Sequence, residues 1–211
     1  PEDVPMPQSP HNNTSNERYY LPTADVQIRT LERTAEVTVP LMPLTGFPPN
    51  RVTSLPAQPA DQAYTALSEL WLEIPKLKVS VPIVGIPPKG KEWDLTWLWD
   101  QAGWLEGTAF PTHQGNAALT AHAYLPSGLP GPFARLSELL YGDRLIIHLG
   151  GQRYIFEVRE VSQVLPNSLS AFRHEAYPWL TLITCKEYDE RLKQYRYRVI
   201  VRAVLVTIED E

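Results

Sequence analysis

The stretch Thr181-Leu182-Ile183-Thr184-Cys185 closes a short apolar run that is rich in the residue types favoured in strands. Cys185 is the only cysteine in the 211-residue chain. A second strand-like run, Val199 to Ile208, follows, and Arg198 stands at its head. A thiol at a strand end with an arginine returning beside it can form a nucleophile and anion-binding pair. A lone cysteine can equally be a small buried hydrophobe, so both interpretations stay open at this point.

The composition of the chain excludes several classes of protein. A hydrophobic fraction of 43% is sufficient for a sizeable core, while a net charge of -5 gives no basis for binding nucleic acid or an anionic membrane. One cysteine excludes an internal disulfide and a multi-cysteine zinc site. The sequence contains no apolar run of about 18 residues and no metal-ligand pattern, so we expect neither a membrane span nor a cofactor. The chain begins at Pro1, and we expect membrane contact only through a segment absent from this chain.

The N-terminal part of the chain differs in composition from the rest. The first 60 residues hold 11 of the 21 prolines and only one of the 11 glycines, Gly46. Such a stretch is typical of an extended, semi-rigid segment. We therefore predict a proline-rich arm over residues 1–62 and a folded domain over residues 63–211. The arm is either a stalk or a segment that packs on the folded domain.

The folded region has the pattern of many short strands with few helical interludes. Gly150-Gly151 between two alternating runs is a hairpin signal. Short helices are expected near Leu95–Gln101 and, from the apolar spacing, at Phe133–Leu140. The expected strands are Leu70–Pro75, Leu77–Ile86, Asn116–Ala121, Leu145–Leu149, Tyr154–Val158, Glu160–Leu165, Tyr177–Ile183 and Val199–Ile208. About eight short strands predict a mostly β fold, either a barrel or a sandwich.

One of the five histidines stands out by its position. His122 ends the apolar segment Asn116–Ala121, just before a loop that is rich in glycine and proline. A strand end followed by such a loop is how a scaffold holds a functional side chain at its rim. A hydrogen-bonded structural histidine is the alternative interpretation.

Taken together, these segments resemble the sortases, the cysteine transpeptidases of bacterial surfaces. Thr181–Cys185, followed by the strand that begins at Arg198, resembles the family's TLxTC signature and returning arginine strand. Three further segments agree in the right order: Leu72–Leu77 with Val81–Ile83, Gly115–His122, and Phe133–Leu136 with Gly142-Asp143. The resemblance covers about Leu70 to Ile208 and implies a closed eight-stranded β-barrel with short helices, preceded by the proline-rich extension.

The resemblance also implies roles for three residues. Cys185 would attack a peptide carbonyl and form a thioacyl intermediate. His122 would carry the proton and deliver it to the leaving amine. Arg198 would hold the developing oxyanion or orient the substrate, since its fixed charge excludes it as a proton donor.

Five more residues are candidates for contact with the substrate. Thr184 resembles the family residue that helps to line the oxyanion site, and Ala121 stands where the family usually has glycine. Val164 and Leu165 are candidates for an apolar pocket. Arg196 lies two residues before Arg198 and competes with it for the functional position. The loop expected over residues 186–197 would flank the substrate groove.

The implied substrate is a surface protein or pilin that carries an LPxTG-like sorting signal. The implied acceptor is an amine, on a peptidoglycan precursor or a pilin lysine, at the extracellular face of the membrane or in the cell wall. The alternative is a non-catalytic or autoinhibited binding module whose N-terminal arm covers the groove. We expect that arm to act as a removable lid over Cys185. Within it, Tyr19–Ala24 echoes a sorting motif.

Overall fold

The computed structural model describes residues 42–90 and 92–211, and the motif-like stretch Tyr19–Ala24 lies outside them. The strands are β1 (Thr65–Ile74), β2 (Val79–Ile86), β3 (Pro88–Lys89), β4 (Glu92–Trp93), β5 (Ala102–Leu105), β6 (Gly115–Thr120), β7 (Arg144–Leu149), β8 (Gln152–Val164), β9 (Pro178–Asp189) and β10 (Gln194–Asp210). Single 3-10 turns lie at Ala60–Gln62, Pro75–Leu77, Leu136–Glu138 and Ser170–Phe172. Within these described ranges, no helix is long and apolar enough to cross a membrane.

Eight of these strands form a closed barrel. Their order around the barrel is β1-β2-β5-β6-β9-β10-β8-β7, and β3 pairs with β4 in a separate small sheet. The predicted mostly β fold and its closed eight-stranded barrel are therefore confirmed. β2 pairs with β5, and β6 with β9, in parallel, while the other neighbours run antiparallel. Closure leaves no unpaired edge on the barrel.

Strand β9 is covered on both of its faces, which explains why its sequence is a continuous apolar run instead of an alternating one. Leu180 and Leu182 point into the barrel core. Ile183 points the other way, into a second apolar cluster outside the sheet. That outer cluster includes Met42 and Leu98, from chain segments that pack over the sheet. The C-terminal end of β9 thus lies beneath a covering layer.

The two expected helices are shorter than their spacing suggested, because other groups take their backbone hydrogen bonds. Around residue 95 the chain makes turns, and the N–H of Trp97 donates to the Tyr64 hydroxyl at 3.1 Å. In the segment 133–140 only the 3-10 turn Leu136–Glu138 forms. The N–H of Leu140 donates to the Asp143 carboxylate at 2.6 Å, so the backbone leaves the helical path there.

The expectation of a twelve-residue loop between the two last strands was wrong. β9 continues to Asp189 and β10 resumes at Gln194, so the connection is a tight hairpin. The Asp189 carboxylate accepts the N–H groups of Arg191 and Leu192 at 2.9 and 3.0 Å, which fixes the turn. Strand pairing beyond Cys185 therefore replaces most of the loop that we expected beside the groove.

Candidate active site

Cys185 and Arg198 are brought together by the pairing of the last two strands. They are direct cross-strand partners in the antiparallel register of β9 and β10. Arg198 is also the partner of Val164 on its other side, in β8. Opposed residues on one face of a sheet lie about 5 Å apart at Cβ, so this register sets the thiol and the guanidinium side by side. Both residues are buried, with Cys185 3% and Arg198 4% exposed.

His122 reaches the same place through a parallel pairing. β6 and β9 run in parallel with Thr120 opposite Ile183. Two residues further along each chain are His122 and Cys185. The Thr184 hydroxyl donates to the Ala121 carbonyl at 3.3 Å, which ties the two chains together between these positions. The parallel register thus carries His122 to the level of the thiol.

The loop after His122 folds back tightly on its own start. The N–H of Gly131 donates to the Ala123 carbonyl at 2.9 Å. A Cβ on Gly131 would come too close to the His122 carbonyl, so a glycine is needed at this contact. The glycine- and proline-rich loop therefore holds the histidine backbone in place.

The His122 imidazole is buried and neutral. Among the described residues neither ring nitrogen has a hydrogen-bond partner, although both are fully enclosed. Burial lowers the pKa of His122 to about 4, and the nearby backbone of Leu95 offsets this only in part. The Phe47 ring packs edge-on against the imidazole, with 5.0 Å between ring centroids.

The Cys185 thiol is also held in its neutral form. Burial raises the pKa of Cys185, while the Arg198 charge and hydrogen bonding from Thr45 act in the opposite direction. The Thr45 N–H donates to the sulfur at 3.1 Å. A neutral thiol and a neutral imidazole indicate a resting site, because attack requires a thiolate.

The cover over this site is the segment of residues 42–48, which we call the strap. Besides its bond to the sulfur, several hydrogen bonds to the surrounding residues hold the strap in place. Arg198 Nε donates to the Pro43 carbonyl at 3.2 Å, and the Ala123 N–H donates to the Thr45 carbonyl at 2.8 Å. The Tyr195 hydroxyl donates to the Phe47 carbonyl at 2.6 Å. A cleft of about 710 Å³ runs along the strap and is lined by His122, Arg198 and Tyr195.

The five substrate-contact candidates fall in different surroundings. Thr184 and Ala121 are buried beside the site, bonded to each other as described. Val164 packs against the outer apolar cluster that holds Met42, whereas Leu165 is 59% exposed. Arg196 lies away from the thiol and is hydrogen-bonded through Nε to the Asp189 carboxylate at 2.8 Å. Arg198 is thus the arginine that the fold places at Cys185.

The sequence analysis did not predict the residues of the strap, or Tyr195, as residues of the site. A signal for the strap was present: Pro43-Leu44-Thr45-Gly46 has the proline, threonine and glycine spacing of an LPxTG signal. The expectation had placed such an echo at Tyr19–Ala24 instead. No comparable signal marks Tyr195, because its role depends on the strap lying above it.

Comparison with known proteins is consistent with this geometry. Residues 72–206 match the family model described as Sortase domain. The chain belongs to the sortase family. The match begins in β1 and ends in β10, so it spans the barrel strands, and the strap precedes it. No curated protein matches this sortase.

Solved structures of several sortases share the fold. Sortase C-1 from Actinomyces oris is 26% identical over 65% of this chain and 73% of its own, with a TM-score of 0.53. A lid mutant of sortase A from Corynebacterium diphtheriae is 24% identical over 72% and 75%, with a TM-score of 0.56. The Clostridium perfringens Sortase D5 transpeptidase is 21% identical over 66% and 79%, with a TM-score of 0.52. The last two show the fold alone, and the three proteins are three different kinds of sortase: C-1, A and D5.

Proposed function

We propose that this sortase is a cysteine transpeptidase that cleaves an LPxTG-like sorting signal through a Cys185 thioacyl intermediate. The observation that carries the proposal is the register of the strands. Antiparallel pairing sets Arg198 opposite Cys185, and parallel pairing brings His122 to the same level. A thiol and a guanidinium on adjacent strands, with an imidazole just beyond the end of the third strand, β6, form a nucleophile, an anion-binding group and a proton carrier.

The first half of the reaction forms a thioester. The Cys185 sulfur bonds to the threonine carbonyl carbon of the signal as the thiol proton passes to His122. The Arg198 guanidinium stabilises the negative charge on the carbonyl oxygen. The C–N bond to glycine then breaks, and His122 returns its proton to the leaving amine.

The second half transfers the acyl group. An amine of the acceptor attacks the thioester carbon and passes a proton to His122; the C–S bond then breaks, and His122 gives that proton to the departing Cys185 sulfur. The acceptor is an amine on a peptidoglycan precursor or a pilin lysine, and the acyl donor is a surface protein or pilin. Sortases act at the cell surface, so we place this one at the extracellular face of the membrane or in the cell wall.

A second candidate function is an autoinhibited module, which the strap specifically favours. The strap bonds to the thiol and to Arg198, and its Phe47 ring covers His122. In this candidate the covered site is a docking surface that is never opened for chemistry. The two candidates differ in one measurable property, the formation of product.

The deciding experiment incubates the reduced protein with a library of LPxTx peptides and a small amine. Mass spectrometry then follows a thioester at Cys185, peptide cleavage and ligation. Transpeptidation predicts all three with the intact chain or with the strap displaced, and none with Cys185→Ala. Absence of every product from a strap-displaced protein with a titratable thiol would support the docking module and overturn the enzyme.

A further inference from the structure

Residues 42–46 cross the site as a peptide whose backbone is hydrogen-bonded at Met42, Pro43 and Thr45. The Met42 N–H donates to the Pro166 carbonyl at 3.3 Å, and the Pro43 carbonyl accepts from Arg198. Further along, the Thr45 N–H contacts the thiol and its carbonyl accepts from Ala123, as given above. Recognition through main-chain bonds is how grooves hold extended peptides while pockets read the side chains.

The side chains of this segment are buried at Met42, Pro43 and Thr45 and exposed at Leu44. Met42 is 2% exposed and lies in the outer apolar cluster with Ile183 and Ile200. Thr45 is fully buried, whereas Leu44 between them is 60% exposed. The groove therefore encloses the first and fourth residues of the segment and leaves the third free.

A neighbour leaves little room for a side chain at the fifth residue. A Cβ on Gly46 would lie 3.0 Å from the Tyr195 hydroxyl oxygen and 3.1 Å from its ring. That hydroxyl cannot simply move aside, because it donates to the Phe47 carbonyl. A larger residue would require the tyrosine to shift and would strain this bond.

The five positions together define a pattern: an apolar residue, proline, any residue, threonine, glycine. The sequence that fills them is Met42-Pro43-Leu44-Thr45-Gly46. It agrees with LPxTG at the last four positions, counting the free one, and has methionine, another long apolar residue, at the first. Proline at the second position fixes φ and so favours an extended backbone before the carbonyl that Arg198 binds.

We propose that residues 42–46 are a built-in sorting-signal mimic, bound non-covalently in the subsites that read the substrate. This rests on the proposed function, and it goes further in two ways. It assigns a pocket to each position: Met42 marks the apolar one, Leu44 the open one and Gly46 the one beneath Tyr195. It also makes the mimic a competitive inhibitor in cis, so a substrate enters only as the strap leaves.

Two features keep the mimic uncleaved. The sulfur receives the N–H of Thr45, and burial holds the thiol and the imidazole neutral while the strap is in place. A tethered ligand competes at an effective concentration on the order of millimolar. A free sorting signal must therefore exceed that concentration, or bind more tightly than Met42–Gly46, to displace it.

The first test compares two substitutions within the strap. Met42→Asp places a charge in the apolar pocket, and Leu44→Asp places the same charge at the open position. We expect iodoacetamide to label Cys185 at least about tenfold faster in Met42→Asp, because each 1.4 kcal/mol of strap destabilisation is tenfold in opening. Leu44→Asp should stay within about twofold of the unchanged chain. Equal acceleration by both variants would overturn the mimic.

The second test adds peptides to the Met42→Asp protein and does not depend on turnover. Acetylated Met-Pro-Leu-Thr-Gly should slow labelling of Cys185, and a peptide of the same composition in the order Leu-Gly-Met-Thr-Pro should not. Equal protection by the two peptides, or none by either, overturns the assignment of subsites. Circular dichroism confirms that the variant is folded.

Failure of this proposal can be told apart from failure of the proposed function. If Met-Pro-Leu-Thr-Gly protects Cys185 but no cleavage product forms, the proposal of a signal mimic stands and the proposed enzymatic function is wrong. Peptide cleavage by the unchanged chain at the same rate as by Met42→Asp would retain the enzyme and remove the inhibition. An intact-mass loss that corresponds to cutting between Thr45 and Gly46 would overturn the non-covalent state.

Discussion

The β9–β10 pair and the strap meet at the same thiol, but they are held in different ways. Cys185 and Arg198 lie in a ladder of cross-strand pairs that runs from Trp179–Val204 to Asp189–Gln194. The strap forms no strand and is attached by scattered bonds such as Thr45 to sulfur and Phe47 to Tyr195. A ladder opens only with the domain, whereas a few isolated bonds can open locally. Cys185 and Arg198, to which we assign the chemistry, thus lie on the rigid part, and the proposed control lies on the part held by isolated bonds.

The largest effect is expected from Cys185→Ala. Without the sulfur no thioester can form, so cleavage and ligation products should be absent by mass spectrometry. The barrel should remain, because the β9–β10 ladder does not depend on the thiol. If this variant forms product, the nucleophile is a residue other than Cys185. A collapsed far-ultraviolet spectrum would show instead that the ladder needs the side chain.

The contrast in stability can be tested with one truncation in each region. Leu182→Ala removes a fully buried side chain from the barrel core and should lower the free energy of unfolding by about 3 kcal/mol. Phe47→Ala should change it by less than about 1 kcal/mol while raising the labelling rate of Cys185. Urea melts and alkylation kinetics measure the two quantities. A large loss of global stability in Phe47→Ala would show that the strap belongs to the cooperative core.

Arg198 is the point at which the two regions touch, because it binds the strap and faces the thiol. Arg198→Gln should lower kcat by about 100-fold, the typical cost of removing one oxyanion donor. Arg135→Gln, which removes an exposed pair with Glu138, serves as the matched control and should leave kcat unchanged. If kcat falls equally in the two variants, Arg198 has no specific role in the reaction.

A further effect is expected on the pH dependence of stability. The pKa of buried His122 is lowered to about 4, so this group favours the folded state fully above its unfolded pKa of about 6.5. That contribution, about 3 kcal/mol, is lost as pH falls from 6.5 towards 4. Urea melts across this range should show a shallower loss in His122→Phe. If the free energy of unfolding depends on pH in the same way in His122→Phe and in the unchanged chain, the strap does not shield the imidazole from water.

The same cover predicts a shift in thiol reactivity. Burial raises the pKa of Cys185, so the intact chain should reach half-maximal alkylation only at alkaline pH. Opening the strap with Met42→Asp exposes the thiol to water and to the Arg198 charge alone, and the midpoint should move to lower pH. Alkylation rates between pH 6 and 10 measure it, with Leu44→Asp as the control. If the pH of half-maximal alkylation is the same in Met42→Asp and in the unchanged chain, the strap does not influence the pKa of the thiol.

Much of the barrel was readable because its signals are local. Alternating runs on either side of Gly150-Gly151 gave the β7–β8 hairpin, and the apolar runs around Cys185 gave β9 and β10. The sequence predicted longer helices than the structure contains. The Tyr64 hydroxyl and the Asp143 carboxylate accept hydrogen bonds from backbone N–H groups that a helix would need. Those partners are distant in sequence or lie beyond the end of the segment. A local sequence pattern therefore cannot predict these hydrogen bonds. The boundary placed after residue 62 stays a prediction.

The sequence by itself determined a mostly β chain with one thiol, one histidine at a strand end and one arginine in the last strand. Strand propensity and residue chemistry are properties of neighbours along the chain, so they can be read in order. Only the tertiary structure decided that Arg198, and not Arg196, faces the thiol, and that residues 42–48 lie over it. Those facts depend on register and on contacts such as Thr45 to Cys185, which join residues 140 positions apart.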